Sequence, residues 1–532
     1  MEWRCTVGLF IIGCVVTMGT CTKVKVAVYE HVVISPDDPE NYFPRREAFR
    51  WMSKNLDVLA RQAKIASGKG AKMIVFPEYG ITGFDHSRDS IITFLEDVPN
   101  AEEEWNPCID PDRHKDTMVL RNISCIARDN FIYVVANMGD IKKCNVTTDV
   151  TCPKDGRYQF NTNVVFDRHG KLVARYHKRH MYDETPLFDP APTPEYVTFD
   201  TPFGKFGTIV CFDLLHYKPT QVLIDEYSVD NLVVTSAWNV FYPFVIPLQM
   251  YSGLAKRNQV NVIASNIRNS DYYMAGSGIF GDGVEVNSDL NFYDENGVLL
   301  VAEIETKPNK VRHGKQLNHI MKPEIRPKVD VVTLNSTNTG KYDYGMNMTY
   351  VLLNKMSGYA DVCREMVCCA VDYKFNNRDP DENFILAAVD VVLTEPGALH
   401  MQFCAVHKCA TDDLKTCGSI VTSANSSFSK LTVEGRFDHG IVFPFVSTTT
   451  LGESTDIHME MDSYVFDHDN AILQADKLEH PLLAAVVFNS LFNESEIWSD
   501  KGYNVGESTS NSECASLSII AKLIVLVAYI IC

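Results

Sequence analysis

Six short apolar runs punctuate the first 306 residues: Val24–Tyr29, Met73–Phe76, Phe131–Ala136, Thr208–Val210, Leu232–Thr235 and Asn261–Ala264. Each is too apolar for a sheet with one wet face, so these strands must be covered on both sides. Between the first two, Phe49, Met52, Leu56, Leu59, Ala60 and Ala63 recur at helical spacing over Glu47–Ala66, and Gly68 and Gly70 end the helix. Strand, helix, strand implies crossovers and an α/β domain, which we place at residues 23–306. Two hairpins interrupt the pattern. In one, Thr162–Phe166 turns through Asp167-Arg168-His169-Gly170 into Lys171–Tyr176; in the other, Gly204-Lys205-Phe206-Gly207 turns into the strand ending at Cys211. A Pro/Lys-rich segment at 307–328 has little apolar periodicity and reads as a linker. Beyond it, runs such as Phe384–Val392, Met401–Val406 and Ile441–Val446 predict a smaller β-rich domain over 329–505.

The ends carry signals of another kind. Arg4, the apolar run Val7–Met18 and the small residues Gly19 and Thr20 read as a secretory signal peptide over residues 1–20, too short to span a membrane comfortably. Near the C-terminus, small polar residues from Gly506 to Ser512 precede the apolar stretch Ile519–Cys532, the pattern of a lipid-anchor attachment signal whose tail, within 506–532, is removed. A tail anchor is the alternative. Secretion predicts glycans at the Asn-x-Ser/Thr sites Asn122, Asn145, Asn335, Asn347, Asn425 and Asn493. It also predicts disulfides. Cys144 and Cys152 bracket a short loop, and Cys363, Cys368, Cys369, Cys404, Cys409 and Cys417 cluster, with their connectivity left open. A zinc site from that cluster and His407 lacks the usual Cys-x-x-Cys spacing. Cys211 stands apart from every cluster, and a free thiol in a secreted chain invites a functional explanation. With 49 Lys plus Arg against 68 Asp plus Glu, a net charge of −19, there is no electrostatic case for a nucleic-acid partner.

Three strand ends carry reactive residues. Pro77 stops the strand Met73–Phe76, so Glu78 opens onto the carboxyl edge of its sheet, where α/β folds place their sites. Lys178 ends the second hairpin strand inside the cationic run Arg175–His180, and Cys211 ends Gly207–Val210. Alone, each has an ordinary explanation: a loop carboxylate, a surface lysine, a small buried hydrophobe. Together they form an ordered set, 100 and 33 residues apart, within one α/β domain.

That set resembles the Glu-Lys-Cys triad of the nitrilase, or carbon-nitrogen hydrolase, superfamily. Phe76-Pro77-Glu78-Tyr79-Gly80, Tyr176-His177-Lys178, Phe203–Gly207, Val210-Cys211-Phe212-Asp213, Thr235-Ser236-Ala237-Trp238 and Ala264-Ser265-Asn266-Ile267 are similar to the vanin and biotinidase branch. The resemblance implies a four-layer αββα sandwich followed by a smaller disulfide-rich β-rich domain, no cofactor and no metal. It implies a small-molecule amide as substrate, cleaved through a cysteine thioester, and attachment to the outer plasma membrane by a glycosylphosphatidylinositol anchor. By the family mechanism Cys211 is the nucleophile, made more anionic by a neighbouring ammonium, Glu78 shuttles protons, and Lys178 and the Phe212 N–H hold the oxyanion. Glu184 falls near the family's supporting glutamate, and Trp238 falls near the substrate. Pantetheine is the expected substrate, with biotinyl-lysine amides the enzymatic alternative. A non-catalytic adhesion ectodomain is the alternative from another class, and a papain-like Cys211–His216 pair a weaker one.

Overall fold

The computed structural model describes residues 22–184, 187–240, 246–281, 284–291, 294–306, 338–341, 346–393, 399–419, 421–450 and 457–491. The leader at 1–20, the linker at 307–328 and the tail at 506–532 lie outside them.

Residues 22–306 build two six-stranded sheets. Across the first run Val298–Thr306, Thr22–Glu30, Met73–Val75, Tyr133–Lys143, Arg157–Phe166 and Leu172–His177. Across the second run Val284–Asp289, Ser277–Gly281, Asn261–Asn266, Asn231–Ser236, Gly204–Val210 and Thr198–Thr201. Parallel triplets form the centre of each, with Val26 beside Met73 and Val75 beside Val135 in one, and Val210 beside Thr235 and Val234 beside Ala264 in the other. The continuous apolar runs now have their cause. Val26, Val28, Met73, Val75 and Val135 meet Phe206, Val233 and Ile263 in a core between the sheets. The alternate residues Ala27, Ile74, Phe76 and Val134 face the helices Arg45–Gly68 and Met118–Asn130. On the far side Leu232, Val234, Val262 and Ala264 pack with the helix Pro247–Asn258. The layers are helix, sheet, sheet, helix: the αββα sandwich.

Residues 338–491 carry an antiparallel seven-stranded sheet and a five-stranded one. Apolar residues fill the space between them, and Cys369–Cys404 links the strands Val367–Asn377 and Leu399–Lys408 from one sheet to the other. The outer face of the larger sheet lies on the helix Pro247–Asn258. There Gly253 allows close approach, because a Cβ would sit 2.9 Å from the Pro444 carbonyl.

One hairpin differs from its sequence reading. Gly204–Gly207 lies inside a strand, and the reversal comes earlier, with Thr201 paired to Gly204. The glycines that suggested a turn serve other needs: Gly204 has φ of +144°, and a Cβ on Gly207 would press on Val229 at 3.1 Å. The periodicity search also missed the helices Met118–Asn130 and Pro247–Asn258. The second is buried almost all round, so it shows no polar stripe.

Candidate active site

Glu78, Lys178 and Cys211 come to one place at the carboxyl ends of strands from both sheets. Phe76 still pairs with Val135, Pro77 ends the strand, and Tyr79, at φ +56°, donates its N–H to Asn137 Oδ1 at 3.1 Å. That turn sends the Glu78 side chain inward, where it is 1% exposed. Lys178 follows the strand Leu172–His177 and is equally buried. Its Nζ donates to Glu78 Oε1 at 2.8 Å and lies 2.6 Å from Glu184 Oε1. The preceding His177 is held between Asp140 at 2.9 Å and Glu195 at 2.9 Å, which fixes the strand end that delivers the lysine.

Cys211 begins the 3₁₀ turn Cys211–Leu215 with φ of +45°, a left-handed conformation costing a non-glycine residue about 1–3 kcal/mol. The surrounding structure enforces it. Asp213 accepts hydrogen bonds from Tyr176 Oη (2.7 Å) and from the N–H groups of His180 (2.9 Å), Arg179 (3.3 Å) and Val210 (3.4 Å). One buried carboxylate, pushed up to about 6 by burial, thus ties the chain leaving Lys178 to the turn carrying the thiol. The second domain braces the same turn: Ser490 Oγ donates to the Leu215 carbonyl at 2.6 Å.

Cys211 is a free thiol, buried among charges. Burial pushes its pKa well up and the charge of Glu78 adds to that, outweighing Lys178 and the Ala237 N–H, which favour the anion. The ammonium expected to favour the thiolate is present beside Cys211, and burial works against it. Burial also works against the Lys178 ammonium, but Glu184 and Glu78 outweigh it and hold its pKa well above the usual lysine range. Burial raises Glu184 to about 7 despite Lys178. The Ala237 N–H donates to Glu78 Oε2 at 2.9 Å and is also the backbone donor that favours the Cys211 anion, so the second sheet offers one N–H to both groups.

Phe212 is the second residue of the 3₁₀ turn, among the N–H groups that a helix start leaves outside its own hydrogen-bond pattern. Trp238 is 6% exposed, with its ring edge-on to Tyr251 and its backbone clamped by Asn266, which fixes the neighbouring Ala237. His216 stacks face to face on His180 with ring centroids 3.5 Å apart, and burial keeps it neutral, so the papain-like pairing finds no support. The zinc alternative fails because the thiols are consumed in Cys363–Cys368, Cys369–Cys404 and Cys409–Cys417. His407 is fully buried and bonds the Lys408 carbonyl. Cys108–Cys125 and Cys144–Cys152 are also paired. Asn122, Asn145, Asn347 and Asn425 are exposed, while Asn335 and Asn493 lie outside the described residues.

Sequence reasoning gave no part to Asn161, whose Nδ2 donates to Glu78 Oε1 at 2.7 Å and Glu184 Oε1 at 3.3 Å. A signal was present: Asn161-Thr162-Asn163 interrupts a strand whose neighbours Val164, Val165 and Phe166 are buried, and polar groups at such positions need partners.

Residues 50–266 match the carbon-nitrogen hydrolase family and 338–495 the vanin C-terminal domain. A pantetheinase from Sus scrofa is 35% identical over 90% of this chain and 91% of its own, and a biotinidase from Takifugu rubripes 39% identical over 79% and 85%. The chain belongs to the vanin and biotinidase branch of the carbon-nitrogen hydrolases. This vanin-like protein is accordingly an amidohydrolase. A pantetheinase from Mus musculus is 34% identical over 98% of both chains. Among solved structures, an amidase from Nesterenkonia sp. covers 53% of the vanin-like chain and 90% of its own, at 19% identity and a TM-score of 0.38.

Proposed function

We propose that this protein hydrolyses the amide of pantetheine, giving pantothenate and cysteamine, with Glu78, Lys178 and Cys211 as its catalytic residues. The observation that carries the reading is a buried free thiol on which the charges of Glu78 and Lys178 act, with Lys178 Nζ bonded to Glu78 Oε1 at 2.8 Å. An amide is a poor electrophile with a poor leaving group, so a resting thiol needs a base at the moment of attack. Glu78 Oε2 takes the Sγ proton as the C–S bond forms. The carbonyl oxygen becomes an oxyanion, held by Lys178 and the Phe212 N–H; a single donor of this kind is typically worth about 10²–10³ in rate. The C–N bond then breaks, and the amine leaves with the proton from Glu78. Water repeats the sequence on the thioester: Glu78 takes its proton, the acid is released, and the proton returns to sulfur. Glu184 holds Lys178 as an ammonium throughout.

The mouse pantetheinase alignment spans nearly the whole chain, which supports pantetheine over other amides. The higher identity of the Takifugu biotinidase keeps biotinyl-lysine as the second reading. The five disulfides among the described residues suit the oxidising outside of the cell, and the small polar residues before Ile519–Cys532 support a glycosylphosphatidylinositol tether there. Measuring kcat/KM for pantetheine and biotinyl-lysine side by side, with Cys211→Ala as the blank, tests the assignment. Preference for pantetheine supports it. Preference for biotinyl-lysine overturns the substrate and spares the amidase chemistry, and an active Cys211→Ala overturns the mechanism.

A further inference from the structure

We infer that Asn161 is a positioning residue that selects which oxygen of Glu78 accepts the thiol proton; this rests on the proposed roles of Glu78 and Cys211. Asn161 is 1% exposed and bonded on every side. Its Nδ2 donates to Glu78 Oε1 and Glu184 Oε1, the same two oxygens that Lys178 Nζ contacts, so ammonium and amide close a ring around them. Its backbone carbonyl accepts the Lys178 N–H at 2.8 Å, so the residue also anchors the lysine's main chain.

The orientation of the amide is dictated from outside the site. The Tyr79 N–H can only donate, so Asn137 must turn Oδ1 toward it. Asn137 Nδ2 then donates to Asn161 Oδ1 at 2.6 Å, which leaves Asn161 only its Nδ2 to offer the two glutamates. Asn137 Nδ2 also reaches Asn163 Oδ1 at 3.1 Å, and Asn163 Nδ2 crosses to Thr208 Oγ1 and the Ile209 carbonyl on the second sheet. A directional run of hydrogen bonds, started by one backbone N–H, therefore ends on Glu78 Oε1. With Oε1 committed to Asn161 and Lys178, the carboxylate cannot rotate freely, and Oε2 stays on the Ala237 N–H as the oxygen that bonds neither the amide nor the ammonium. Without the amide, the buried Glu184 loses a donor that favours its anionic form, and it keeps a proton to higher pH.

The test uses the secreted full chain, with kcat and KM for pantetheine measured from pH 5 to 9. Asn161→Leu removes the donor at similar volume. It should lower kcat by about 10²-fold, change KM by less than about threefold, and move the acid limb of kcat/KM up by about one pH unit. Asn137→Ser leaves Asn161 in place but frees its amide to flip, and should shift the same limb in the same direction by a smaller step. This variant keeps the inference testable if Asn161→Leu is not secreted. A folded Asn161→Leu, or failing that a folded Asn137→Ser, with the wild-type limb overturns the inference, as does a loss confined to KM. The controls separate this from failure of the underlying reading. If Cys211→Ala is inactive while Asn161→Leu behaves as wild type, only the inference falls; if Cys211→Ala is active, the proposed roles fall first.

Discussion

Replacing Lys178 with methionine keeps most of the stem's volume and removes the one cation that Glu78 and Glu184 share. In the wild type, burial has already raised Glu184 from the usual 4.5 to about 7 with the ammonium 2.6 Å away. At about 1.4 kcal/mol per pH unit, that rise opposes folding by about 3 kcal/mol above pH 7. The folded value lies above the unfolded one, so the group's favourable contribution is complete below about pH 4.5 and is lost as pH rises through about 7. In Lys178→Met only the Asn161 amide still opposes the burial of Glu184 and its repulsion from Glu78. Breaking a buried ion pair typically costs about 3–5 kcal/mol, and we expect that loss at pH 8. At pH 5 Glu184 takes up a proton and the loss should fall below half. Urea unfolding of both proteins with disulfides intact, at the two pH values, measures the difference. Equal losses at pH 5 and pH 8 would assign the effect to packing and refute the charge argument, and no loss at either would remove Lys178 as the partner of the two acids.

Glu78→Gln keeps the shape of the site but cannot take the thiol proton, so kcat should fall by about 10²–10⁴ with secretion unchanged; loss of secretion would mark a structural carboxylate. Because burial pushes the Cys211 thiol up, iodoacetamide should alkylate Cys211, followed by peptide mass, at a rate still climbing between pH 7 and 9. A plateau below pH 7 would show a stabilised thiolate. If Ile519–Cys532 belongs to an anchor signal, a phosphatidylinositol-specific lipase should release the protein from expressing cells, and retention while a control anchor is released would remove that reading.

How far the sequence exposed this arrangement depended on the range of each interaction. The doubly buried strands were legible because burial on two faces leaves a local mark, an unbroken apolar run. Glu78, Lys178 and Cys211 were legible because each closes a strand, and a strand end is also local. Asn161 and Asp213 were not, because their function lies in partners 83 and 37 residues away, Glu78 and Tyr176, that only the folded sheets bring near. The full balance of forces on Cys211 was not legible for a related reason. A list of neighbours names the lysine that favours the anion, whereas the exclusion of water that outweighs it is a property of the assembled site. The same holds for the six clustered cysteines: composition foretold bridges, but their pairing needed strand register, as where Cys363 lies directly opposite Cys368.

The two sheets divide the proposed reacting groups between them. Glu78 and Lys178 ride on one, Cys211 and Ala237 on the other, and the layer between is largely apolar, with Val75, Val135, Phe206, Val233 and Ile263 in one core. The gap between the proposed base and nucleophile is therefore gauged by the thickness of that apolar layer. Valines that never meet the substrate act as shims. Thinning one lets the sheets slide or settle by a fraction of an ångström, a displacement small for a core and large for a proton transfer.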